Sequence, residues 1–242
     1  MTETPPDQAH WARVAAQWTA WARKPGHDAF WAYRDTLLAF IGRGDKLALE
    51  VGCGEGRVSR ALKELGHHVT ATDPVAELVD AAAAAGSADR YAVAPAEALP
   101  FEDGSFDLVV AYNVLMDVAN VPAACAEMAR VLAPGGEVMI SLVHPFRDRG
   151  RFSGAGPDAP FVLEGSYFGR ERFEGAEERD GLTMDFAGWS QPLESYAEAL
   201  EGAGLAITRL REPLPTAVPG DETMARWMRL PLFLWLKARR LV

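Results

Sequence analysis

The chain has 242 residues, of which 49% are hydrophobic and 24% charged, as expected for a globular protein. Its formal net charge of −10 argues against a nucleic-acid partner, because phosphate backbones repel an acidic surface. The two cysteines, Cys53 and Cys125, form neither a disulfide framework nor a zinc site, so we expect no bound metal and a cytoplasmic location. The most apolar stretch, residues 230–236, is too short to cross a bilayer, so we expect no membrane partner.

Residues 1–42 are predicted to form an N-terminal helical cap. Trp11, Trp18 and Trp21 recur at spacings of three and four residues, which is the period of a helix. Lys24-Pro25-Gly26 interrupts this pattern, and a second helix is predicted over residues 28–41.

Strands and helices alternate through residues 43–242. The predicted strands are 47–51, 68–72, 91–94, 106–111, 137–143, 205–211 and a last one from residue 230, and the predicted helices are 57–65, 75–85, 121–132 and 193–203. Strands joined by helical crossovers indicate a parallel sheet that is covered on both faces. We therefore predict a doubly wound, Rossmann-like α/β domain with a mostly parallel seven-stranded sheet and helices on both faces.

Two connections stand out from this alternation. Residues 145–190 are rich in glycine, arginine and aromatic side chains without a helical period, so we predict a lid-like insertion with strands of its own. Residues 133–136 are predicted to form a turn before the fifth strand, and residues 212–220 a proline-rich loop.

Three alternate glycines, Gly52, Gly54 and Gly56, follow the first buried strand. Glycine accepts positive φ and has no side chain, so a ligand can approach such a turn closely. A dinucleotide fingerprint would place its third glycine where this chain has Arg57, and no phosphate-binding Gly-Lys-Ser/Thr sequence follows. The loop therefore predicts a ligand site, and an oxidoreductase that uses NAD is disfavoured.

Two acids flank this loop at strand ends. Glu50 ends the first strand, where a carboxylate can meet a cation, and Asp73 ends the second, where it can accept hydrogen bonds from both hydroxyls of a ribose.

Together these residues resemble class I S-adenosylmethionine-dependent methyltransferases. Residues 49–56 look like the family's first motif, Asp73 matches its ribose-binding acid, and residues 96–110 and 130–136 are similar to its later blocks, in the same order. The resemblance implies S-adenosylmethionine as the cofactor. The cofactor-binding residues that it implies are Glu50, Gly52, Gly54, Gly56, Asp73, Ala96, Glu97 and Asn113.

One position departs from the family's pattern. Many relatives carry an aspartate before the Ala-Glu pair that accepts a hydrogen bond from adenine, and this chain has Pro95 there. Because proline has no polar side chain, adenine must be recognised by backbone groups, by Glu97 or by shape.

Two residues beyond strand ends are candidate catalytic groups. His144 follows the fifth strand and could act as a general base at neutral pH, or it could be a structural residue at the Pro145 turn. Asp117 follows the fourth strand and could face the acceptor, or it could cap a helix or lie in solvent.

The acceptor-binding candidates come from the predicted cap and insertion. We expect Trp21, Tyr33, Tyr167 and Arg170 to contact the acceptor, although aromatic residues in such segments often serve only in packing. Tyr33 with Arg34 could also reach the carboxylate end of the cofactor.

The sequence predicts an enzyme, monomeric or homodimeric, that transfers a methyl group from S-adenosylmethionine to a hydroxyl or amine of a small-molecule acceptor. The alternative is a non-methylating enzyme or regulatory module that binds the same cofactor on the same fold. The acceptor itself is not specified by any motif, because specificity depends on the cap and the insertion.

Overall fold

A computed structural model describes residues 5–216 and 222–241. The helices are α1 (Pro6–Arg23), α2 (Ala29–Ile41), α3 (Arg57–Glu64), α4 (Ala76–Ala84), α5 (Val121–Val131), α6 (Leu193–Gly202) and α7 (Glu222–Arg226). The strands are β1 (Leu47–Val51), β2 (His68–Asp73), β3 (Arg90–Val93), β4 (Phe106–Tyr112), β5 (Leu132–Val143), β6 (Gly150–Phe152), β7 (Phe161–Leu163), β8 (Glu171–Arg179), β9 (Leu182–Ser190), β10 (Leu205–Arg211) and β11 (Phe233–Arg240).

Seven strands form one sheet in the order β10-β11-β5-β4-β1-β2-β3. The β1–β2, β1–β4, β2–β3 and β4–β5 pairs are parallel, whereas β11 runs antiparallel to both of its neighbours. The carboxyl ends of β1, β2, β4 and β5 therefore lie at one edge of the sheet, where doubly wound folds bind ligands. The predicted fold class is confirmed.

Each face of the sheet has its own hydrophobic core. On one face, α5 and α6 pack on the sheet through buried residues such as Met128 and Leu200. On the other, α2 and α3 do so through residues such as Leu37 and Leu62. The apolar residues of β1 and β4 contribute to both cores, which is why these strands read as nearly continuous hydrophobic runs.

The two N-terminal helices have different positions. Helix α2 begins after Asp28, whose side chain accepts a hydrogen bond from the backbone N–H of Phe30 at 3.1 Å, and it packs into the core. Helix α1 instead contacts β9 and α4, beyond the carboxyl ends of the strands. Residues 1–4 of the predicted cap at 1–42 lie outside the described part. In the rest of it, α1 and the start of α2 lie over the strand ends.

The insertion at 145–190 contains four strands. Strands β6 and β7 form one antiparallel pair, and β8 and β9 form a long hairpin. Asp180 and Gly181 connect β8 to β9, with φ angles of 51° and 76°, which is the positive-φ pair that a tight Asp-Gly hairpin turn requires.

Three local predictions differ from the structure. The predicted turn at 133–136 lies within β5, where a register shift opposite Phe106 and Leu108 absorbs the extra residues. The last strand begins at Phe233 and not at residue 230, because Pro231 has no backbone N–H for a sheet hydrogen bond. Helix α7 was not predicted, and residues 217–220 of the predicted proline-rich loop lie outside the described residues.

In the described part of the chain, no helix is long and apolar enough to cross a membrane. Over the same residues, no group of three or more His, Cys, Asp or Glu side chains is arranged to hold a metal ion.

Candidate active site

A cavity of about 670 Å³ lies over the carboxyl ends of β1, β2, β4 and β5. Its floor consists of the glycine loop at 52–54 and of strand-end residues that include Glu50 and Asp73. Helix α1 and the β8–β9 hairpin close the opposite side of the cavity, and together they are called the cover. A volume of this size lies within the range of pockets for small ligands.

Close contacts require glycine at all three positions of the loop, and a Cβ at Gly56 would lie 2.4 Å from Ser87. Gly52 has φ 69°, and a Cβ there would lie 2.4 Å from a methyl carbon of Val114. Gly54 has φ 54°, and a Cβ there would lie 2.8 Å from Nε1 of Trp18 on α1. A side chain at either position would therefore meet both an unfavourable backbone conformation and an occupied space. Gly56, with φ 89°, precedes α3 and packs against Ser87 outside the cavity wall.

Glu50 is buried at the floor, where its carboxylate accepts a hydrogen bond from the Ser59 hydroxyl on α3. Burial is the main cause that raises the pKa of Glu50 to about 8; the Ser59 hydrogen bond opposes it, and the nearby carboxylates of Asp73 and Glu55 add to it. A buried carboxyl with few compensating charges favours a cationic ligand group.

Asp73 is held in place by the backbone. Its Oδ2 accepts from the N–H of Gly54 at 2.9 Å, and its Oδ1 accepts from the N–H of Val75 at 3.0 Å. Burial raises the pKa of Asp73 to about 6 despite these two bonds. Each carboxylate oxygen keeps a further lone pair, so the carboxylate is positioned to accept ribose hydroxyls as predicted.

The remaining predicted cofactor residues also reach the cavity. Pro95, Ala96 and Glu97 line one side, and a Glu97 carboxylate oxygen lies 3.3 Å from the N–H of Asn120 that donates to it. Asn113 lines the wall beyond β4 with φ 55°, and its Oδ1 accepts from the Ser141 hydroxyl at 2.8 Å. Of the eight predicted cofactor residues, all but Gly56 border the cavity.

Arg57 is a cavity residue that sequence reasoning missed. Its guanidinium lies 4.8 Å from the Trp18 ring centroid and 4.5 Å from that of Phe30, and it donates to Asp28 at 2.5 Å. It therefore joins α1, α2 and α3 beside the glycine loop. The signal in the sequence is an arginine directly after Gly56, at the position where a dinucleotide fingerprint has its third glycine.

A buried carboxylate joins the two parts of the cover, α1 and the β8–β9 hairpin. Asp7 accepts from Nε1 of Trp189 at 2.9 Å and from the Arg172 guanidinium, so it links α1 to both strands of the hairpin. Further along the same junction, the His10 ring lies 3.0 Å from the backbone oxygen of Asp185, whose side chain contacts Arg13 in solvent. None of these long-range pairs follows from sequence spacing.

Asp117, one of the two predicted catalytic residues, lies in the cavity wall. Burial raises its pKa well above the usual range of an aspartate, the nearby Asp7 carboxylate raises it further, and a hydrogen bond with Trp11 lowers it. The backbone of β9 is close, because a Cβ at Gly188 would lie 2.8 Å from Oδ1 of Asp117. Its predicted role in contacting the acceptor is compatible with this position and stays a prediction.

His144, the other predicted catalytic residue, lies outside the cavity wall among the described residues. Its Nε2 lies 3.1 Å from Oε1 of Glu212, and its ring packs on Phe146 at 4.4 Å. Burial lowers the pKa of His144, and the Glu212 hydrogen bond opposes that effect. This placement favours the structural role that the sequence left open.

Of the four predicted acceptor residues, only Trp21 lines the cavity. Tyr33 is buried under α2 against Phe233, at a ring distance of 4.9 Å. The Tyr167 hydroxyl accepts from the N–H of Leu193 at 3.0 Å. Arg170 donates to the carbonyls of Val118 and Ala119, each at 2.9 Å. These three side chains serve packing and anchoring, and their placement does not support acceptor contact.

Comparison with known proteins shows what part of this chain is similar to. Residues 49–140 match a family of methyltransferase domains, a segment that runs from β1 into β5 and carries the cavity floor. A malonyl-[acyl-carrier protein] O-methyltransferase of Erwinia billingiae is 40% identical over 99 residues, which are 41% of this chain and 39% of that protein. The chain thus spans about two fifths of the length of this curated relative.

Solved structures share the whole fold. An S-adenosylmethionine-dependent methyltransferase from Mesorhizobium loti has a TM-score of 0.69 and 24% identity, over 88% of this chain and 98% of that one. The [4+2]-cyclase SpnF has a TM-score of 0.63 and 18% identity, over 97% and 95% of the two chains. The resemblance read from the sequence is confirmed, and with it the predicted cofactor, S-adenosylmethionine.

Proposed function

We propose, because this chain carries a class I S-adenosylmethionine-dependent methyltransferase domain, that it transfers the methyl group of that cofactor to an oxygen or nitrogen of a small-molecule acceptor. The observation that carries the proposal is the cavity of about 670 Å³, in which the family's cofactor residues form the floor and the cover closes the opposite side.

The floor fits the cofactor in charge and shape. S-adenosylmethionine supplies a methyl group that is already activated on a sulfonium, so the protein has to bind, align and exclude water. Asp73 is oriented to accept the ribose hydroxyls, and the glycine loop at 52–54 lines the cavity beside the buried Glu50, where the methionine part would bind. Pro95 lines the adenine side without a polar side chain, so recognition there depends on shape, on Glu97 and on the backbone.

The opposite end of the cavity is suited to a flat, largely apolar acceptor. Five aromatic residues line it, from α2, β4, β9, the turn after α7 and β11: Phe30, Tyr112, Phe186, Trp227 and Phe233. Aromatic walls hold planar groups well, and a cover of secondary structure limits the size of what can enter. These features support a small acceptor over a protein-sized one.

The alternative, a non-methylating protein on the same fold, is not favoured. SpnF is similar in fold alone, at 18% identity, whereas the curated relatives at 34–40% identity carry methyltransferase names. Those names also specify oxygen as the methylated atom, which supports methyl transfer to an oxygen of the acceptor.

Incubation of the purified chain with methyl-labelled S-adenosylmethionine and a metabolite extract tests this function. We expect S-adenosylhomocysteine to form and the label to appear in a low-mass product. A parallel reaction with malonyl-acyl carrier protein asks whether the acceptor is carried on a protein. Label found only on tRNA or on proteins, or cofactor binding without any turnover, would contradict the proposal.

A further inference from the structure

Asp117 is a carboxylate of the cavity wall whose charge is unmatched within the described part of the chain. It lies in the connection between β4 and α5, lines the cavity and is partly accessible. The neighbouring Asp7 is paired with Arg172, which also contacts Glu174 at 3.2 Å, but no ion pair of the described residues includes Asp117. An unpaired carboxylate that opens onto a cavity is complementary to a ligand cation.

Two aromatic rings lie beside the Asp117 carboxylate. Trp11 of α1 forms a hydrogen bond with it. A Cβ at Gly188 would lie 2.8 Å from Oδ1 of Asp117 and 2.9 Å from Cζ of Phe173, so that ring and the carboxylate are neighbours. Both rings line the cavity, and no arginine or lysine of the described residues lies over either, in contrast to Trp18. Aromatic rings next to a carboxylate suit an ammonium group.

The other ionisable groups around Asp117 do not neutralise it. In the turn after β5, Asp148 is paired with Arg147 at 2.8 Å, and on α6 the Tyr196 side chain is buried with its pKa raised. Arg170, just before β8, donates to two backbone carbonyls of the connection that carries Asp117, and it lies outside the cavity wall. Both arginines therefore have oxygen partners of their own, and the negative charge of Asp117 stays available to a ligand.

The charge of the whole wall also favours a cation. Ten carboxyl residues line the cavity against three arginines. Each of these arginines already donates to an oxygen of the protein: Arg57, Arg147 and Arg179. Bound S-adenosylmethionine carries a single net positive charge and so balances only part of the excess. A cationic acceptor is therefore favoured over an anionic one.

We propose that the acceptor is an amine-bearing cation whose ammonium group binds the Asp117 carboxylate and packs on the rings of Trp11 and Phe173. An ammonium nitrogen has no lone pair, so it cannot take the methyl group. It is the group by which the acceptor is held, and the methylated oxygen or nitrogen lies elsewhere in the same molecule. This inference rests on the proposed function and names the charge class of its acceptor.

The test compares three probes that share a phenylethyl body and differ in charge, with the chain saturated by S-adenosylhomocysteine. At pH 7, 2-phenylethylamine is a cation, 2-phenylethanol is neutral and 3-phenylpropanoate is an anion. In calorimetry we expect the amine to bind at least about 10-fold more tightly than the alcohol, because only the amine can pair with the carboxylate. The propanoate should bind more weakly than either.

Asp117→Asn removes the charge but keeps the size of the side chain and an oxygen that can accept from Trp11. It should lower the affinity for the amine about 10-fold, leave that for the alcohol within a factor of about two, and leave S-adenosylhomocysteine affinity unchanged. Asp185→Asn is the matched control, because it removes a hairpin carboxylate that lies outside the cavity wall and contacts Arg13. The control should behave as wild type with all three probes.

Three results would overturn the inference: no binding of the amine, equal binding of the amine and the alcohol, or an undiminished preference for the amine in Asp117→Asn. A loss of S-adenosylhomocysteine affinity in Asp117→Asn as large as the loss of amine affinity would also overturn it, because the carboxylate would then serve the cofactor. Failure of the proposed function would appear separately, as no S-adenosylhomocysteine formation from S-adenosylmethionine with any acceptor.

Discussion

The floor and the cover of the cavity are built by different means. In the floor, Asp73 is held by backbone N–H groups, that of Gly54 in the glycine loop and that of Val75 directly after its own strand. In the cover, Asp7 is held by Arg172 and Trp189, which lie more than 160 residues away in the chain. The floor therefore depends on local backbone geometry, and the cover on a few long-range polar pairs.

Because of this difference, the floor and the cover of the cavity are suited to different ligands. A floor fixed by backbone hydrogen bonds is formed before any ligand arrives, which suits a cofactor that every turnover uses. A hairpin attached through side chains can open and close at lower cost, which suits exchange of acceptor and product. Changes in the floor should therefore affect cofactor affinity, and changes in the cover should affect the acceptor.

The largest effect is expected in the floor. Gly52→Ala places a Cβ 2.4 Å from Val114 at a φ of 69°, so we expect S-adenosylhomocysteine affinity to fall by more than about 100-fold in calorimetry. Gly86→Ala is the matched control, because Gly86 has φ 61° but nothing within 4 Å of its added Cβ. The control should cost about 1 kcal/mol of stability and no affinity. Equal losses in the two variants would show that the loop is not in contact with the cofactor.

The next effect is expected in the cover. Asp7→Ala leaves the buried Trp189 N–H and the Arg172 guanidinium without their shared acceptor. We expect the KM for the acceptor to rise about 10-fold, with cofactor affinity within a factor of two to three of wild type. Arg13→Gln, which removes an exposed pair with Asp185, is the control and should change neither quantity. A drop in cofactor affinity in Asp7→Ala as large as that in acceptor affinity would contradict the separation of the two halves.

A smaller effect is expected in the pH dependence of stability and in the protons released when the cofactor binds. Glu50 has a folded-state pKa of about 8, above its unfolded value of 4.5, so the folded chain binds more protons and its stability should fall as pH rises from about 4.5 to about 8. A cationic cofactor group beside Glu50 lowers that pKa, so binding near pH 7 should release up to about one proton. Calorimetry in buffers of different ionisation enthalpy measures the release. Glu50→Gln should remove it, and an unchanged release would assign the proton to another group.

The smallest effect is expected at His144. Because His144 contacts Glu212 and Phe146 outside the cavity wall, His144→Gln should change kcat by less than about 3-fold and leave the pH dependence of the rate unaltered. A loss of 100-fold or more would restore His144 as the base and place the acceptor at the end of β5.

The sequence predicted the floor because its determinants are local. Gly52, Gly54 and Asp73 occupy a strand–turn–helix pattern whose geometry is nearly the same wherever it occurs, so their placement follows from their order. The cover could not be predicted in this way. Tyr33 and Arg170 had the right chemistry for an acceptor site, but the packing of α2 and the docking of the hairpin direct them elsewhere. Asp117 and Phe173 lie together only because the hairpin docks on the connection between β4 and α5.

The most direct test of the account is a crystal structure of the chain with S-adenosylhomocysteine. We expect the ribose hydroxyls to bond the Asp73 carboxylate, the homocysteine part to lie against Gly52 and Gly54, and the sulfur to face the aromatic end of the cavity under a closed β8–β9 hairpin. A ligand bound elsewhere, or one that displaces α1 and the hairpin in order to fit, would contradict the assignment of floor and cover.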